Sequence, residues 1–372
     1  MGIKDLNAFV IKRCPSAFRI VEMRKFRNRR IAIDSNLYLY RILSSAYTNV
    51  LNNKVKDRED LILDEKIFWD KKNPESYYYN HVKAIVENTL KNFIFNFYKH
   101  GIVPVFIFDG VSGEALIKEK NEYARAERKK VKENAEAKIK LAKDEIKNVD
   151  LKDFKQLDDL YAKVKNVLRQ KPPIDYKLDF DFIKEYLINA MKADIIVAPN
   201  EAEKYCCYLN RVGYVAGVWS LDTDCFPFGA KIIILGNNDF KSDYFNVVIP
   251  DMIYESLNLS HAQFVDMTIV FSNDFNLRIP KLGPETIWKN INKDKEDIIK
   301  DLEEKFKEKD FSCLNRESCR KIFLDYSDCS NQKFEKLELK SSTSDKRMPD
   351  YMYKIYKENI KNKQVKDTLF YS

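Results

Sequence analysis

Six carboxylic acids stand where apolar runs of this chain stop. Asp34 closes the run RIAID, Asp109 closes VPVFIFD, and Asp222 and Asp224 follow VWSL. Glu201 and Glu203 come just after DIIVA, in the stretch APNEAEKY. Each run is short, rich in β-branched residues and bounded by turn or helix signals, as a buried strand is. In a parallel sheet the C-terminal strand ends line one crevice, so all six acids are expected at the same edge. Asp222 and Asp224 share a face if their stretch is extended. Glu201 and Glu203, two residues apart, project to different sides of a regular helix, so one must use the irregular first turn to point inward. Amide dipoles at a helix start favour negative charge there. Crowded carboxylates raise one another's pKa values unless cations neutralise them. Oxygen ligands without His or Cys suit Mg²⁺ or Mn²⁺ better than zinc. Two such ions about 3.5 to 4 Å apart can activate a water and stabilise the leaving oxygen in phosphodiester hydrolysis. Any one of these acids alone could equally be a helix cap or turn residue; six together argue for a metal centre.

The elements that must position them follow from periodicity. Strands are expected at residues 30–34, 103–109, 194–198, 214–221 and 231–235. Between them lie helical patterns, the clearest being Val82, Ile85, Val86, Thr89, Leu90, Phe93 and Phe97, closed by Gly101 as a C-terminal cap. A further helix runs through Ala202, Tyr205, Cys206 and Leu209, with Asn200 as N-cap and Cys206 in the core stripe. Strands alternating with helices mean an α/β fold with a mainly parallel central sheet flanked by helices. Residues 118–170 are dense in Lys and Glu and read as two long, partly exposed helices ended by Pro172 and Pro173. The first half of that segment has little apolar surface and is expected to order against a partner. The stretch Val50 to Tyr79 interrupts the alternation without a readable function. Beyond residue 296 the chain turns charged and helical. Cys313, Cys319 and Cys329 are irregularly spaced there, with no nearby histidine to complete a zinc set.

A length of 372 residues, 45% hydrophobic and 33% charged, suits one large or two modest soluble domains with a proper core. No run of 18 apolar residues is present, so no membrane span is expected. MGIKDLNAFV lacks the apolar stretch of a secretory signal. Seven cysteines without a CxxC pair suggest reduced thiols inside a cell. The basic surplus is concentrated: residues 1–30 hold nine basic and two acidic side chains, 118–170 sixteen and eleven, and 331–366 ten and five. The remainder is therefore net acidic, a separation expected of a polyanion binder with an acidic catalytic centre.

The ordered series MGIKDL, IAIDSNLYLY, VPVFIFDG, RAERKK, APNEAEKY, SLDTDCFPFGA and FSNDF before RIPKLGP resembles the flap endonuclease and XPG family of structure-specific 5′ nucleases. The likeness covers roughly residues 1 to 295. It implies a PIN-like nuclease core at 1–110 and 176–260, a helical arch at 111–175, a helix-hairpin-helix element at 261–295 and a C-terminal helical region and basic tail at 296–372. It implies metal roles for Asp34, Asp109, Glu201, Glu203, Asp222, Asp224 and also Asp274, holding two Mg²⁺ ions, with Mn²⁺ able to substitute. Tyr40 matches the family's base-stacking tyrosine. Arg125, inside RAERKK, matches the basic residue the arch presents to the scissile phosphate, with Lys118 its partner lysine and Lys120 a competitor for that place. Gly2 matches the glycine at the active-site entrance. Lys281 and Gly283 belong to the hairpin that grips duplex backbone, where Pro284 opens a helix.

The chain departs from the family where Glu285 replaces a basic residue and Pro280 a freer turn, so duplex grip is expected to be weaker or shared with the basic amino-terminal segment. The tail QVKDTLFYS is similar to a sliding-clamp peptide through Gln364, Phe370 and Tyr371, but Asp367 occupies its aliphatic position and an unstructured tail is preferred. The function expected from the resemblance is metal-dependent cleavage of branched DNA at 5′ flaps and junctions, by a monomer, in replication, repair or recombination. The competing readings are a 5′ to 3′ exoribonuclease, a four-way-junction resolvase and a DNA-bound scaffold. A nuclear location is expected, or a cytoplasmic one for a virus replicating there.

Overall fold

The computed structural model describes residues 3, 5–53, 71–73, 76–110, 117–149, 153–170, 172–236 and 242–330, the side chains of 117–128, 132 and 147 excepted. Gly2, most of the stretch from 50 to 79, and the tail with Gln364, Asp367, Phe370 and Tyr371 lie outside the described residues. The chain divides into two compact units. One comprises residues 1–37, 94–120 and 192–372, the other 38–93 and 121–191.

The first unit is built on a sheet whose described strands are β1 (Phe18–Glu22), β2 (Arg30–Asp34), β3 (Val103–Phe108), β4 (Asp194–Val197), β5 (Gly217–Ser220), β6 (Ile233–Leu235) and β7 (Tyr244–Val248), in the spatial order β1-β7-β6-β5-β2-β3-β4. The five strands from β6 to β4 are parallel. β2, β3 and β5 are buried along their whole length, which is why they read as continuous apolar runs. From β2 the chain steps outward through β3 to β4, then returns to lay β5 on the other side of β2. The strand order thus reverses between β2 and β5, and the crevice of such a sheet opens at the C-terminal side of that reversal.

Periodicity missed two strands. β1 and β7 pair antiparallel with each other, and β7 also pairs antiparallel with β6. They close one side of the sheet, so the sheet is mixed there. Their exposed positions mix polar and apolar residues, Arg19 and Ile20 in FRIVE and Tyr244 and Asn246 in YFNVV, so neither strand shows the unbroken apolar run of a buried one. The expected strand at 214–221 is shorter than its apolar run, because Tyr214 to Ala216 still belong to the turn leaving the preceding helix.

The helices α1 (Leu6–Arg13), α2 (Ser35–Asn53), α3 (Tyr77–Lys99), α4 (Ile117–Asn148) and α5 (Phe154–Gln170) follow the expected helical patterns where these were read. Gly101 ends α3 with φ of 71°: its N–H donates to Tyr98 O and the Ile102 N–H to Phe97 O, turning the chain into β3. α4 and α5 are the two long helices expected of residues 118–170.

The second unit holds a buried polar knot. Helix α6 (Tyr176–Glu185) starts at Asp175, whose side chain accepts from the Lys177 and Leu178 amides. One turn on, Asp179 is fully buried. It accepts from the Asp175 amide at 2.8 Å, Tyr79 Oη at 2.7 Å, Tyr47 Oη at 3.3 Å and Lys71 Nζ at 2.5 Å. Lys71 also donates to Pro173 O at 2.7 Å. Burial pulls the Lys71 pKa down against the attraction of Asp179 and pushes both tyrosine hydroxyls up. Lys71 comes from the stretch whose role the sequence leaves opaque, and this contact ties it to the segment just past α5.

Removing one partner of a buried ion pair strands the other, at a cost of about 3–5 kcal/mol. Asp179→Ala is therefore expected to lower unfolding free energy by about that amount in chemical denaturation, whereas Lys71→Met/Asp179→Leu recovers a large part of the loss. An Asp179→Ala variant as stable as the unaltered chain contradicts the burial of this charge.

Candidate metal centre

Asp34 is the last residue of β2 and is buried. Its Oδ2 accepts from Ser220 Oγ at 2.9 Å, and the same hydroxyl accepts from the Asp222 amide at 3.1 Å. Ser220 ends β5, so this one side chain links the two strand ends that flank the reversal. Burial raises the Asp34 carboxyl to about 7, against the Ser220 hydrogen bond; the neighbouring Asp109, Asp222 and Glu201 push the same way as burial.

Asp109 follows β3. Its Oδ1 accepts from the Ala202 amide at 2.8 Å and its Oδ2 from Asn36 Nδ2. Ala202 opens helix α7 (Ala202–Arg211), so Asp109 caps α7 from a neighbouring strand end. Gly110 makes that approach feasible: its N–H donates to Asn200 O at 2.8 Å, and a Cβ there would fall 1.8 Å from Ala198 O.

Glu201, not the expected Asn200, occupies the N-cap position of α7, with extended backbone angles, and its side chain does not cap its own helix. Asn200 instead donates to Asp328. Glu203 sits in the first helical turn. The two glutamates therefore use the irregular helix start, as their spacing demands. Asp222 and Asp224 are brought together differently from the extended arrangement expected: they bracket a 3₁₀ turn over Thr223–Cys225, in which Asp222 Oδ1 accepts from the Asp224 amide at 3.3 Å. Thr223 Oγ1 in turn accepts from the Ile3 amide at 2.8 Å.

Glu203, Asp222 and Asp224 each place a carboxylate oxygen within 4.8 Å of the other two. Glu203 Oε1 is shut off from solvent and accepts no hydrogen bond among the described residues. Burial first, then Asp222, Asp224 and Asp34 among the acids, hold the Glu203 carboxyl well above the usual carboxylate range. Asp222 is raised by burial and by Asp274. Asp274, in the turn after helix α9 (His261–Phe271), which follows α8 (Pro250–Leu257), is exposed and felt by Asp222 but is not part of the tight trio. A desolvated carboxylate oxygen without a donor, set among like charges, fits an oxygen-seeking divalent cation and fits a hydrogen-bonded cap poorly. Glu203, Asp222 and Asp224 would hold the cation directly, with Asp34, Asp109, Glu201 and Asp274 completing the charge around it.

Of the other expected residues, Tyr40 lies in α2 and stacks on Tyr176, ring centroids 5.8 Å apart and planes 14° apart. Lys118 and Arg125 lie on α4, with side chains outside the described residues. Lys281 is exposed in the turn before helix α10 (Pro284–Asn290) and adopts φ of 61°. A Cβ on Gly283, the N-cap of α10, would meet only Arg278 Nη2 at 3.7 Å, so protein packing does not demand glycine there. Glu285 is not left unopposed: Arg13 Nη2 lies 2.5 Å from its Oε2 and Lys12 Nζ 3.2 Å from its Oε1, and these bonds lower its carboxyl to about 2. Lys12 and Arg13 of the basic amino-terminal segment thus contact the first turn of α10. Sequence reasoning missed Ser220, Asn36 and Thr223; Ser220 and Asn36 adjoin the acid motifs in WSLD and DSN, which is the signal that would have found them.

Two family models match the chain: the XPG N-terminal domain over residues 1–132 and the XPG I-region over residues 192–274, together more than half of it. The chain belongs to the XPG family. All seven acids fall inside those two regions of this family member. Flap endonuclease 1-2 of Paramecium tetraurelia is 28% identical over 291 residues, 78% of this chain and 64% of that protein. A probable RAD2-like endonuclease of Invertebrate iridescent virus 6 is 26% identical over 388 residues, 92% of this chain and 85% of that protein. The match spans less than two thirds, 64%, of the length of the two Paramecium flap endonucleases. The catalytic core of Rad2 in complex with a DNA substrate shares the fold, with a TM-score of 0.51 and 16% identity over 87% of this chain and 85% of that one.

The raised acids set a sign for pH dependence. The folded, cation-free protein keeps a proton on Asp34 that the unfolded chain releases near pH 4, so stability is fully present below that pH and lost as pH rises through about 7. Thermal melts are expected to show a lower melting temperature at pH 8 than at pH 5.5 in EDTA. Millimolar Mg²⁺ should raise the melting temperature more at pH 8 than at pH 5.5, because cations need ionised ligands. Equal ion-induced shifts at both pH values contradict the assignment.

Proposed function

We propose that this chain is a metal-dependent, structure-specific 5′ nuclease that hydrolyses phosphodiesters in branched DNA near a junction of 5′ single strand and duplex. The observation that carries this reading is the trio Glu203, Asp222 and Asp224, with the enclosed, donor-free Glu203 oxygen, at the reversal of a family-typical sheet. Two Mg²⁺ ions, when bound, would supply an activated water and positive charge for the leaving oxygen. The chain's own residues do the rest. Ser220 fixes Asp34 against the Asp222 turn, Asn36 and the Ala202 amide fix Asp109, and the start of α7 aims Glu201 and Glu203. Such pre-set oxygens need little rearrangement on ion binding.

The family resemblance assigns Arg125 and Lys118 to phosphate charge developing in the transition state, and Tyr40 to stacking on a base of the substrate. Lys281 and the hairpin around Gly283 would track duplex backbone together with the amino-terminal helix, a sharing supported by the Arg13–Glu285 contact. DNA is preferred over RNA because the run DCFPFGA and the hairpin belong to the DNA branch of the family's pattern.

Purified full-length protein with Mg²⁺ is to be offered a labelled 5′ flap, a nicked duplex, a four-way junction and single-stranded RNA. The 5′ flap is expected to be cut, with Asp222→Ala reduced to background. Arg125→Ala should lower kcat by about 10²–10³-fold while leaving duplex affinity nearly unchanged. Cleavage of RNA alone overturns the DNA assignment, preference for the four-way junction favours a resolvase, and tight DNA binding without cleavage favours a scaffold.

A further inference from the structure

Lysine is an odd residue for the first turn of a helix. Its charge opposes the positive end of the helix dipole, and burial adds a desolvation cost. Lys204 stands in that turn of α7, directly after Glu203, and is only 8% exposed. What holds it is Asp328, from the short helix Ser327–Ser330, more than a hundred residues further on. Asp328 Oδ2 lies 3.0 Å from Lys204 Nζ and accepts from Asn200 Nδ2 at 2.5 Å, while its Oδ1 accepts from the Cys329 amide at 3.0 Å. Both oxygens are therefore engaged, and Lys204 and Asn200 together hold the carboxyl below the usual range despite its partial burial.

The two partners lead to different arms of the acid cluster. Lys204 adjoins Glu203. Asn200 adjoins Glu201, and its carbonyl accepts from Gly110, the neighbour of Asp109. The segment is seated firmly: Tyr326 stacks on Tyr208 of α7 at 5.9 Å, donates its hydroxyl to Phe228 O, and lies under the Arg211 guanidinium at 5.0 Å. Neither Tyr326 nor Asp328 falls within the matched XPG regions.

We infer that Asp328 is a positioning residue for the acid cluster: through Lys204 and Asn200 it sets the separation between the Glu201 and Glu203 arm and the Asp109 arm. The inference rests on reading the cluster as a divalent-cation site. Outer partners that orient metal-binding side chains are worth about 10–100-fold in ion affinity when removed. Asp328 stands one step further out, bonded to the residues next to Glu203 and Glu201 and not to the glutamates themselves, so the low end of that range is expected.

The test uses the full chain and Mn²⁺ as probe, with binding followed by calorimetric titration and stability by cation-free thermal melts. Asp328→Ala is expected to weaken Mn²⁺ binding about tenfold, and Lys204→Met to weaken it in the same direction. Asp328→Asn, which keeps an acceptor for Asn200 but loses the charge, should fall between the unaltered chain and Asp328→Ala. A partner that served packing alone would lower the melting temperature and leave ion affinity where it was. Mn²⁺ affinity of Asp328→Ala within about twofold of the unaltered chain, against the tenfold expected of a lost outer partner, overturns the inference whatever the melting temperature. Should Asp328→Ala not fold, the same comparison on Asp328→Asn decides. An unaltered chain that takes up no Mn²⁺ sinks the cation reading itself and this inference with it, an outcome told apart by the wild-type trace alone.

Discussion

Carboxylates do not gather in a half-buried crevice unless something compels them to, because each ionised group raises the cost of ionising the next. That repulsion governs how the first unit of this protein is built. The sheet order puts the ends of β2, β3, β4 and β5 side by side, and neighbouring strands lie only about 4.8 Å apart, so acids placed there cannot avoid one another. The hydrogen bonds around them restrain without neutralising: a serine hydroxyl, an asparagine amide and main-chain amides fix orientation while leaving the charge to be met from outside. Asp34 and Glu203 show the result, since burial and like-charged neighbours lift both carboxyls far from their usual range.

The parts of this arrangement that could be read from the sequence are those with local signals. β2 and β3 are buried on both faces and announce themselves as unbroken apolar runs, each ending in its acid. The use of an irregular helix start by Glu201 and Glu203 also follows from spacing alone, because no regular helix aims residues two apart in one direction. Asp222 and Asp224 share the same spacing but were placed by a 3₁₀ turn, a choice that alternation rules cannot make. Asn200 has the right residue type for a helix cap, yet a distant carboxylate claims its side chain. β1 and β7 stayed invisible for a similar reason: their pairing is a long-range fact, and half of each strand faces solvent.

The second unit teaches the same lesson from its interior. Asp179 is fully buried, and apart from the Asp175 amide one turn earlier the donors that meet its charge are distant in sequence. Its partners come from α2 (Tyr47), from the stretch that interrupts the strand and helix alternation (Lys71) and from the start of α3, where that stretch ends (Tyr79). A segment without readable periodicity thus acquires a purpose only when the cation it delivers is seen in place. Buried polar knots of this kind specify one packing arrangement strongly, because each alternative strands a charge.

The contact of Arg13 and Lys12 with Glu285 joins α1 to the start of α10 by exposed ion pairs. A phosphate approaching that corner meets a guanidinium whose charge is already shared with a carboxylate. Fewer counterions are displaced when such a partly satisfied cation changes partner, so association with a polyanion through this corner should depend less steeply on ionic strength than its count of basic residues suggests.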